Sequence, residues 1–368
     1  MASFTNRGTK KKPSWQYVVS AKPKPIRKGG FKTKKEAEAA ARDVEEQLQK
    51  GIHPNLKKVY FADYFETWVD LFKNNVGKNT KERYLNTLET LKEHFEGVYI
   101  QNVTRQSYQA FLNEYGKTRT KATVQKLNSH VRSCISEAME EGLIGIDFTR
   151  KISLSGLEGK KSQEKVLHYE EGKTLLSYLM DKEKKSQSDY LIILGLMSGM
   201  RFGEMVGLTR KDFDFFNHTI TINKTWGYTN KMHEGFGNTK NYQSHRVIYM
   251  DKKTMKIFAD WFEKVPDNIL RLIFYSPSSK YKVISNGAAN KQLKFTLDKL
   301  DIDTISIHGL RHTHASILLY EGASIYYVSE RLGHDNIDTT LKEYTHVLRE
   351  LRQRDNEKTK SILGKMYV

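Results

Sequence analysis

Cysteine is nearly missing from this chain. One residue, Cys134, occurs in 368, which excludes an intrachain disulfide and any cysteine-rich zinc site. Cys134 lies among Val131, Ile135 and Ala138 at helical spacing and reads as a small core residue. Long apolar runs are missing too, since no stretch reaches the roughly 18 apolar residues that cross a bilayer. The basic residues between Met1 and Lys12 are not followed by an apolar segment, so no secretory signal is expected. Acidic residues are scarce: 43 Asp and Glu against 61 Lys and Arg leave a net charge of +18 and a pI near 9.5. Such a surplus points to a polyanion, nucleic acid before an anionic membrane surface. A nucleotide-binding loop is also lacking. Gly159-Lys160-Lys161-Ser162 has two residues between Gly156 and Gly159 and no apolar strand leading in. These absences fit a reducing cytoplasm and no membrane partner.

What is present divides the chain. At 368 residues and 38% hydrophobic composition there is length for two or three domains and apolar content for their cores. Residues 1–35 hold eleven Lys and Arg and no Asp or Glu. Trp15-Gln16-Tyr17-Val18-Val19 alternates like a short strand. Pro23 to Pro25 and Gly29-Gly30 read as turns, and Thr33 with Glu36 forms a capping box for a helix ending at Gly51. A small domain over 1–55 is expected, with Trp15, Tyr17, Lys32 and Lys34 as contacts to DNA; a disordered basic tail is the competing reading. After the His53-Pro54 linker, 56–150 reads as four helices. Phe61, Tyr64, Phe65, Trp68, Leu71 and Phe72 recur at helical spacing as core, and Asn79-Thr80, Thr104 and Thr120 start further helices. The basic set Lys78, Lys81, Arg83, Lys117, Arg119, Lys121 and Lys126 is read as phosphate contacts. Residues 151–165 read as a Gly/Lys/Ser-rich linker. In 166–368, helices at about 190–197, 252–264, 286–299, 308–321, 324–332 and 337–345 accompany strands at 219–222 and 246–250.

Six residues of this last segment suit phosphoryl transfer without a metal. Arg201 follows an apolar helix that stops at Ser198-Gly199, where a charge needs a partner or a ligand; Glu204, three residues on, is placed to orient it. His308, Arg311 and His312 share one helix face, which sets an imidazole beside a guanidinium. Arginine's planar fork fits phosphate oxygens bidentately. His308 and His312 also have the spacing of a zinc pair, but Gly309 stands where a zincin has its glutamate and no third ligand is evident, so no metal is expected. His334 follows Leu332-Gly333. Tyr344, ten residues on, is a candidate covalent nucleophile. Lys240 lies in a turn before the strand at 246–250, and Lys224 and Lys231 are nearby in sequence. His314 reads as structural.

The strings Ser198-Gly199-Met200-Arg201-Phe202-Gly203-Glu204, His308-Gly309-Leu310-Arg311-His312, and Leu332-Gly333-His334 with Thr339-Thr340, Tyr344 and His346, resemble the signature of the tyrosine recombinases, the lambda-type phage integrases. The Trp15/Tyr17 strand and the Gly30-Phe31 to Ala37 pattern are similar to the arm-site-binding domain of many Gram-positive integrases, in which a three-stranded sheet enters the major groove. The resemblance implies a multidomain α+β protein: a small N-terminal sheet-plus-helix arm-binding domain, a four-helix core-binding domain, and a mainly helical catalytic domain with a small antiparallel sheet. It implies a catalytic set of Arg201, Lys240, His308, Arg311, His334 and Tyr344, supported by Glu204 and His312. Lys240 would protonate the leaving 5′-oxygen, with Lys224 and Lys231 as rivals, and His334 would position the phosphate.

The same resemblance implies integration and excision of a mobile element through a 3′-phosphotyrosyl intermediate and a Holliday junction. The working form would be a homotetramer on double-stranded attachment-site DNA, using neither ATP nor another cofactor, in a bacterial cytoplasm at the nucleoid. Family members often work with a small excisionase and host DNA-bending proteins; the residues indicate neither. A type IB topoisomerase would share the chemistry, but the basic arm segment and the integrase-like spacing argue against it. A catalytically inactive DNA-binding relative is opposed by the complete residue set.

Overall fold

The computed structural model describes residues 2–9, 12–21, 25–49, 58–159, 166–230, 232–239 and 242–365. The chain forms two units, Met1–Gly159 and Lys160–Val368.

The first unit begins with an antiparallel sheet of β1 (Ser3–Asn6), β2 (Trp15–Val19) and β3 (Ile26–Phe31), in that order. Helix α1 (Lys34–Gln49) covers one face through Ala37, Ala41 and Val44. Thr33 starts it as expected, accepting from the Glu36 amide at 3.2 Å; the Glu36 carboxylate reaches back to the Lys32 amide at 3.0 Å. The basic segment is therefore folded in its described part. Two expectations fail here. Gly29-Gly30 lie inside β3 rather than in a turn. Gly30 has φ 94°, a conformation glycine takes without strain, opposite a register irregularity between Trp15 and Tyr17. Tyr17 is no DNA contact: it is 2% exposed, stacks on Phe31 at 5.7 Å, and with Val19 and Ile26 forms the small core against α1. Trp15 is half-buried, and Lys32 and Lys34 are exposed.

Helices α2 (Phe61–Phe72), α3 (Lys78–His94), α4 (Arg105–Gly116) and α5 (Lys121–Glu140) follow. Phe61, Tyr64, Phe65 and Trp68 are buried as the spacing predicts, whereas Leu71 and Phe72, on the last turn of α2, are exposed. Thr104 and Thr120 cap α4 and α5 through the amides of Ser107 and Thr123. Helix α3 starts after Gly77, ahead of the expected Asn79-Thr80. Cys134 is fully buried, and burial pushes its thiol well above the usual range. The first part of the expected linker belongs to this bundle. Ser153 exchanges hydrogen bonds with Gln109 at 2.7 and 2.8 Å, Leu157 pairs with Thr120, and Ile152 and Leu154 pack on the core. Lys78, Arg119 and Lys121 are exposed. Lys81 is half-buried, 3.9 Å from Asp70.

The second unit is built around α7 (Gln187–Ser198), which is apolar on every side and so is buried on every side: Leu191, Ile192, Ile193 and Leu194 have no exposed surface. Each such side chain contributes roughly 1.5–3 kcal/mol. Around it pack α6 (Tyr169–Asp181), α9 (Lys252–Lys264), α10 (Asn286–Lys299) and α11 (Ile307–Tyr320). A short α8 (Phe202–Val206) leads to an antiparallel sheet of β4 (Phe213–Asp214), β5 (Thr219–Ile222) and β8 (Arg246–Tyr249), with a separate β6 (Thr225–Trp226) and β7 (Phe236–Gly237) ladder between β5 and β8 in the chain. Helices α12 (Ile325–Leu332) and α13 (Ile337–Gly364) complete it. Helix α13 runs well past the expected end near residue 345. Its helical geometry breaks at one residue, Tyr344, with φ −112° and ψ 15°. Among the described residues no helix is long and apolar enough to cross a membrane.

Candidate active site

Two helices of the second unit end in left-handed glycines, and each glycine carbonyl holds an arginine. Helix α7 stops at Gly199 (φ 66°), whose carbonyl accepts from Arg311 Nη1 at 2.8 Å. Helix α12 stops at Gly333 (φ 67°), whose carbonyl accepts from Arg201 Nη2 at 3.0 Å. A Cβ at Gly199 would lie 2.7 Å from His314 Cδ2, and one at Gly333 would lie 2.9 Å from Arg246 Nη1. Both turns require glycine for φ and for space.

Glu204 is the anion of the site and is 1% exposed. Its carboxylate accepts from Arg201 Nη1 at 2.8 Å, from the Arg201 amide at 2.9 Å, and from Arg246 Nη2 at 2.9 Å. Burial works to raise its pKa, but Arg246, Arg201 and Arg311 together hold it below the usual carboxylate range. Arg246 is fixed further by the Arg331 carbonyl at 2.6 Å from its Nε. Arg311 is 3% exposed; among the described residues it pairs with no carboxylate, and its buried Nη2 has no hydrogen-bond partner. Burial, then the charge of Arg201, pulls its pKa down, though not far enough to discharge it at neutral pH.

Three histidines join the arginines. His308 and His312, one turn apart on α11, meet edge to face with centroids 4.7 Å apart. Desolvation, then Arg311 and Arg201, holds His308 below the ordinary histidine value, although the residue as a whole is exposed. His334 Nδ1 is engaged by Thr340 Oγ1 at 2.7 Å. Desolvation and the surrounding cations, Arg311 first, push its pKa down to about 3. Both rings are neutral at pH 7.

Tyr344 is 1% exposed, and its hydroxyl lies 2.9 Å from His312 Nδ1. The same nitrogen is 3.8 Å from Glu343 Oε2. Burial and Glu343 raise the tyrosine's pKa, against a smaller lowering from Arg311. The phenol at rest is protonated.

Arg201, far upstream in the sequence, and His308, Arg311, His334 and Tyr344 thus meet at one site, with Glu204 and His312 beside them. Lys240 and its rival Lys231 lie outside the described residues. The other rival, Lys224, is bound to both oxygens of Asp212 at 2.5 Å. The sequence reading missed Arg246, Ser244 and Thr340. Arg246 stood in the Thr239-Lys240 to Ile248 pattern used only to align the lysine. Ser244 Oγ, 3.4 Å from Arg201 Nη1, carried no signal of its own, and Thr340 stood only in the Thr339-Thr340 part of the family string, with no role given to it. Among the described residues no group of histidine, cysteine and carboxylate side chains has the form of a metal site.

Residues 165–350 match the phage integrase family, residues 4–48 an arm DNA-binding domain, and residues 60–115 the SAM-like N-terminal domain of phage integrases. The chain is 24% identical to the integrase of Staphylococcus phage L54a over 349 residues, covering 84% of this chain and 96% of that one. It is 22% identical to the ICEBs1 integrase of Bacillus subtilis over 321 residues, covering 83% and 85%. In fold it is similar to the Tn1549 transposon integrase (aa 82–397) in complex with circular intermediate DNA, with TM-score 0.65, 18% identity, and 80% of this chain and 99% of that one covered. It is also similar to a lambda integrase tetramer bound to a Holliday junction, with TM-score 0.57, 14% identity, and 89% and 91% covered. The family match spans half the chain and contains every residue of the arginine–histidine–tyrosine cluster: this chain belongs to the phage integrase family of tyrosine recombinases.

Proposed function

We propose that the chain binds double-stranded DNA at attachment sites and uses Tyr344 to cut and rejoin it during integration and excision of a mobile element. The observation that carries this reading is Arg311 Nη2. A guanidinium donor that is buried and unmet calls for an acceptor. A non-bridging phosphate oxygen beside Tyr344 supplies one, and it supplies negative charge where Arg201, Arg246 and Arg311 outnumber Glu204 and Glu343.

In this reading Tyr344 Oη attacks phosphorus. An O–P bond forms to the tyrosine and the bond from phosphorus to the 5′-oxygen breaks. The phenol's proton passes to His312 Nδ1, already at hydrogen-bond distance, which is needed because the resting phenol is not ionised. Arg201, Arg311 and neutral His308 and His334 donate to the phosphate oxygens; in the tautomer whose Nδ1 accepts from the Thr340 hydroxyl, His334 donates from Nε2. Lys240 protonates the departing 5′-oxygen. Rejoining runs the same steps backward with a new 5′-hydroxyl. The phosphodiester energy stays in the tyrosyl ester, so no ATP is consumed.

Three modules divide the work: an arm-site reader over about 1–55, a core-site reader over 56–150 with residues 152–157 packed on it, and the catalytic segment 166–368. Exposed Lys32, Lys34, Lys78, Arg119 and Lys121 and half-buried Trp15 and Lys81 contact DNA. Four copies assemble at synapsis, with an excisionase and a host bending protein as accessory partners. Tyr344→Phe is the test. It removes only a hydroxyl, so site DNA should still be bound while the protein–DNA adduct on a denaturing gel disappears. An adduct that survives in this variant would overturn the reading.

A further inference from the structure

Arg331 is a buried cation that this chemistry does not use. It lies on the last turn of α12, two residues before Gly333, and is 9% exposed. Its Nε donates to His314 Nε2 at 2.9 Å, its Nη1 to the Tyr249 carbonyl at 2.9 Å and its Nη2 to the Met197 carbonyl at 3.3 Å. The Tyr327 hydroxyl stands 3.5 Å from Nη1. None of these partners is a carboxylate.

His314, on α11 and 7% exposed, is the other half of the arrangement. Its Nδ1 lies 2.8 Å from the Leu196 carbonyl. An imidazole that receives a guanidinium N–H on Nε2 carries its proton on Nδ1, so the tautomer is set from both sides. Leu196 and Met197 belong to the last turn of α7. Carbonyls there have no partner within the helix and carry the negative end of its dipole.

One guanidinium therefore ties α7, β8 and α12 together, and through His314 it ties α11 as well. These four elements deliver the site: α7 ends in Gly199 ahead of Arg201, β8 begins with Arg246, α11 carries His308, Arg311 and His312, and α12 ends in Gly333 ahead of His334. We infer that Arg331, acting through neutral His314, is a positioning residue for DNA cleavage: it sets the end of α7 against the end of α12, and so places the Gly199 and Gly333 carbonyls that hold Arg311 and Arg201. The inference rests on the strand-cleaving reading of the site, but Arg331 itself touches no DNA.

A residue that only fills space would affect stability alone. A positioning residue affects the chemical step in protein that is still folded. His314 adds a second signature. The charges facing it are Arg331 from α12 and Arg311 from its own helix, α7 facing it with the Leu196 carbonyl and Arg246 of β8 reaching it only through Arg331. Burial, then Arg331, holds its pKa at about 3. Without the guanidinium, Nε2 is free to take a proton.

The experiment uses the full chain with Arg331→Lys and Arg331→Met. Lysine keeps the charge, but its donors sit on one nitrogen and do not reproduce the planar fork whose three nitrogens each reach a different acceptor. Three quantities are measured: the Kd for a duplex carrying the element's own end sequence, the single-turnover rate of adduct formation well below each variant's unfolding midpoint, and the titration of the His314 ring by 15N-imidazole spectroscopy, assigned with His314→Gln. The expected result is a Kd within about threefold of the parent, an adduct rate lower by up to about 100-fold in the methionine variant, and an intermediate rate with lysine. The His314 titration should move up by about one pH unit or more. A folded Arg331→Met chain that cleaves at the parent rate, or a His314 ring that titrates alike with and without Arg331, overturns the proposal. If the methionine variant does not fold, the lysine variant decides by the same criteria. A parent chain that forms no adduct would overturn the strand-cleaving reading, while the imidazole titration would still decide whether Arg331 governs His314.

Discussion

Replacing Glu204 by glutamine removes one charge from the most crowded part of the site. The carboxylate is 1% exposed and lies between Arg201 and Arg246, each within 2.9 Å. Removing one partner of a buried ion pair typically destabilises by about 3–5 kcal/mol, because the remaining charge is left without compensation. Glutamine keeps one acceptor oxygen, so the lower end applies, about 3 kcal/mol. For a unit of roughly 200 residues this lowers Tm by about 6–12 °C. Differential scanning calorimetry of the full chain measures it on the transition of the catalytic segment. Adding Arg246→Met to Glu204→Gln removes a cation along with the anion, so the pair should lose less than the two single variants summed. A Tm for Glu204→Gln within about 2 °C of the parent would refute the reasoning, since it would mean that the arginines do not depend on this anion.

Acid should destabilise both units between pH 6.5 and 5. His130, buried against Thr87, has its pKa pushed down to about 4 by burial, and His314 and His334 to about 3. A histidine whose folded pKa lies below its unfolded value of about 6.5 leaves stability intact above that value and loses it as pH falls toward the folded pKa. At pH 5 this costs about 2 kcal/mol for a buried ring such as His314. Urea titrations at pH 7.5 and pH 5 measure it; an unchanged midpoint would contradict the buried-neutral assignment. Cleavage should persist in excess chelator, because arginine, histidine and lysine supply the charge and the protons. Loss on chelation with recovery on adding zinc or magnesium would favour a metal held by His308 and His312.

Much of the site was legible because its parts are local strings. His308, Arg311 and His312 lie within about one helical turn, so helix periodicity puts them on one face, while Arg201 precedes α8 and meets Glu204, three residues on, as its N-cap. The caps at Thr104 and Thr120 were legible for the same reason. What stayed hidden depends on tertiary placement. Arg246 and Arg331 look in sequence like solvated charges, and only packing shows their guanidiniums inside, spent on Glu204, His314 and carbonyls. Tyr17 alternates correctly along its strand, but alternation does not tell which face α1 covers. Gly29-Gly30 read as a turn because glycine permits one, while here it permits an irregular strand. The expected helix at 337–345 stops next to the break at Tyr344, and the sequence reading did not show that α13 resumes beyond it.

The central claim is that Tyr344 becomes covalently joined to DNA. A duplex of the element's own end, nicked so that the short released strand diffuses away, traps the joined state. Proteolysis followed by mass spectrometry then identifies the peptide bearing the nucleotide. The account predicts a 3′-phosphate ester on Tyr344. A nucleotide on Tyr326, Tyr327 or any other residue, or on none while the duplex is cut, would contradict it.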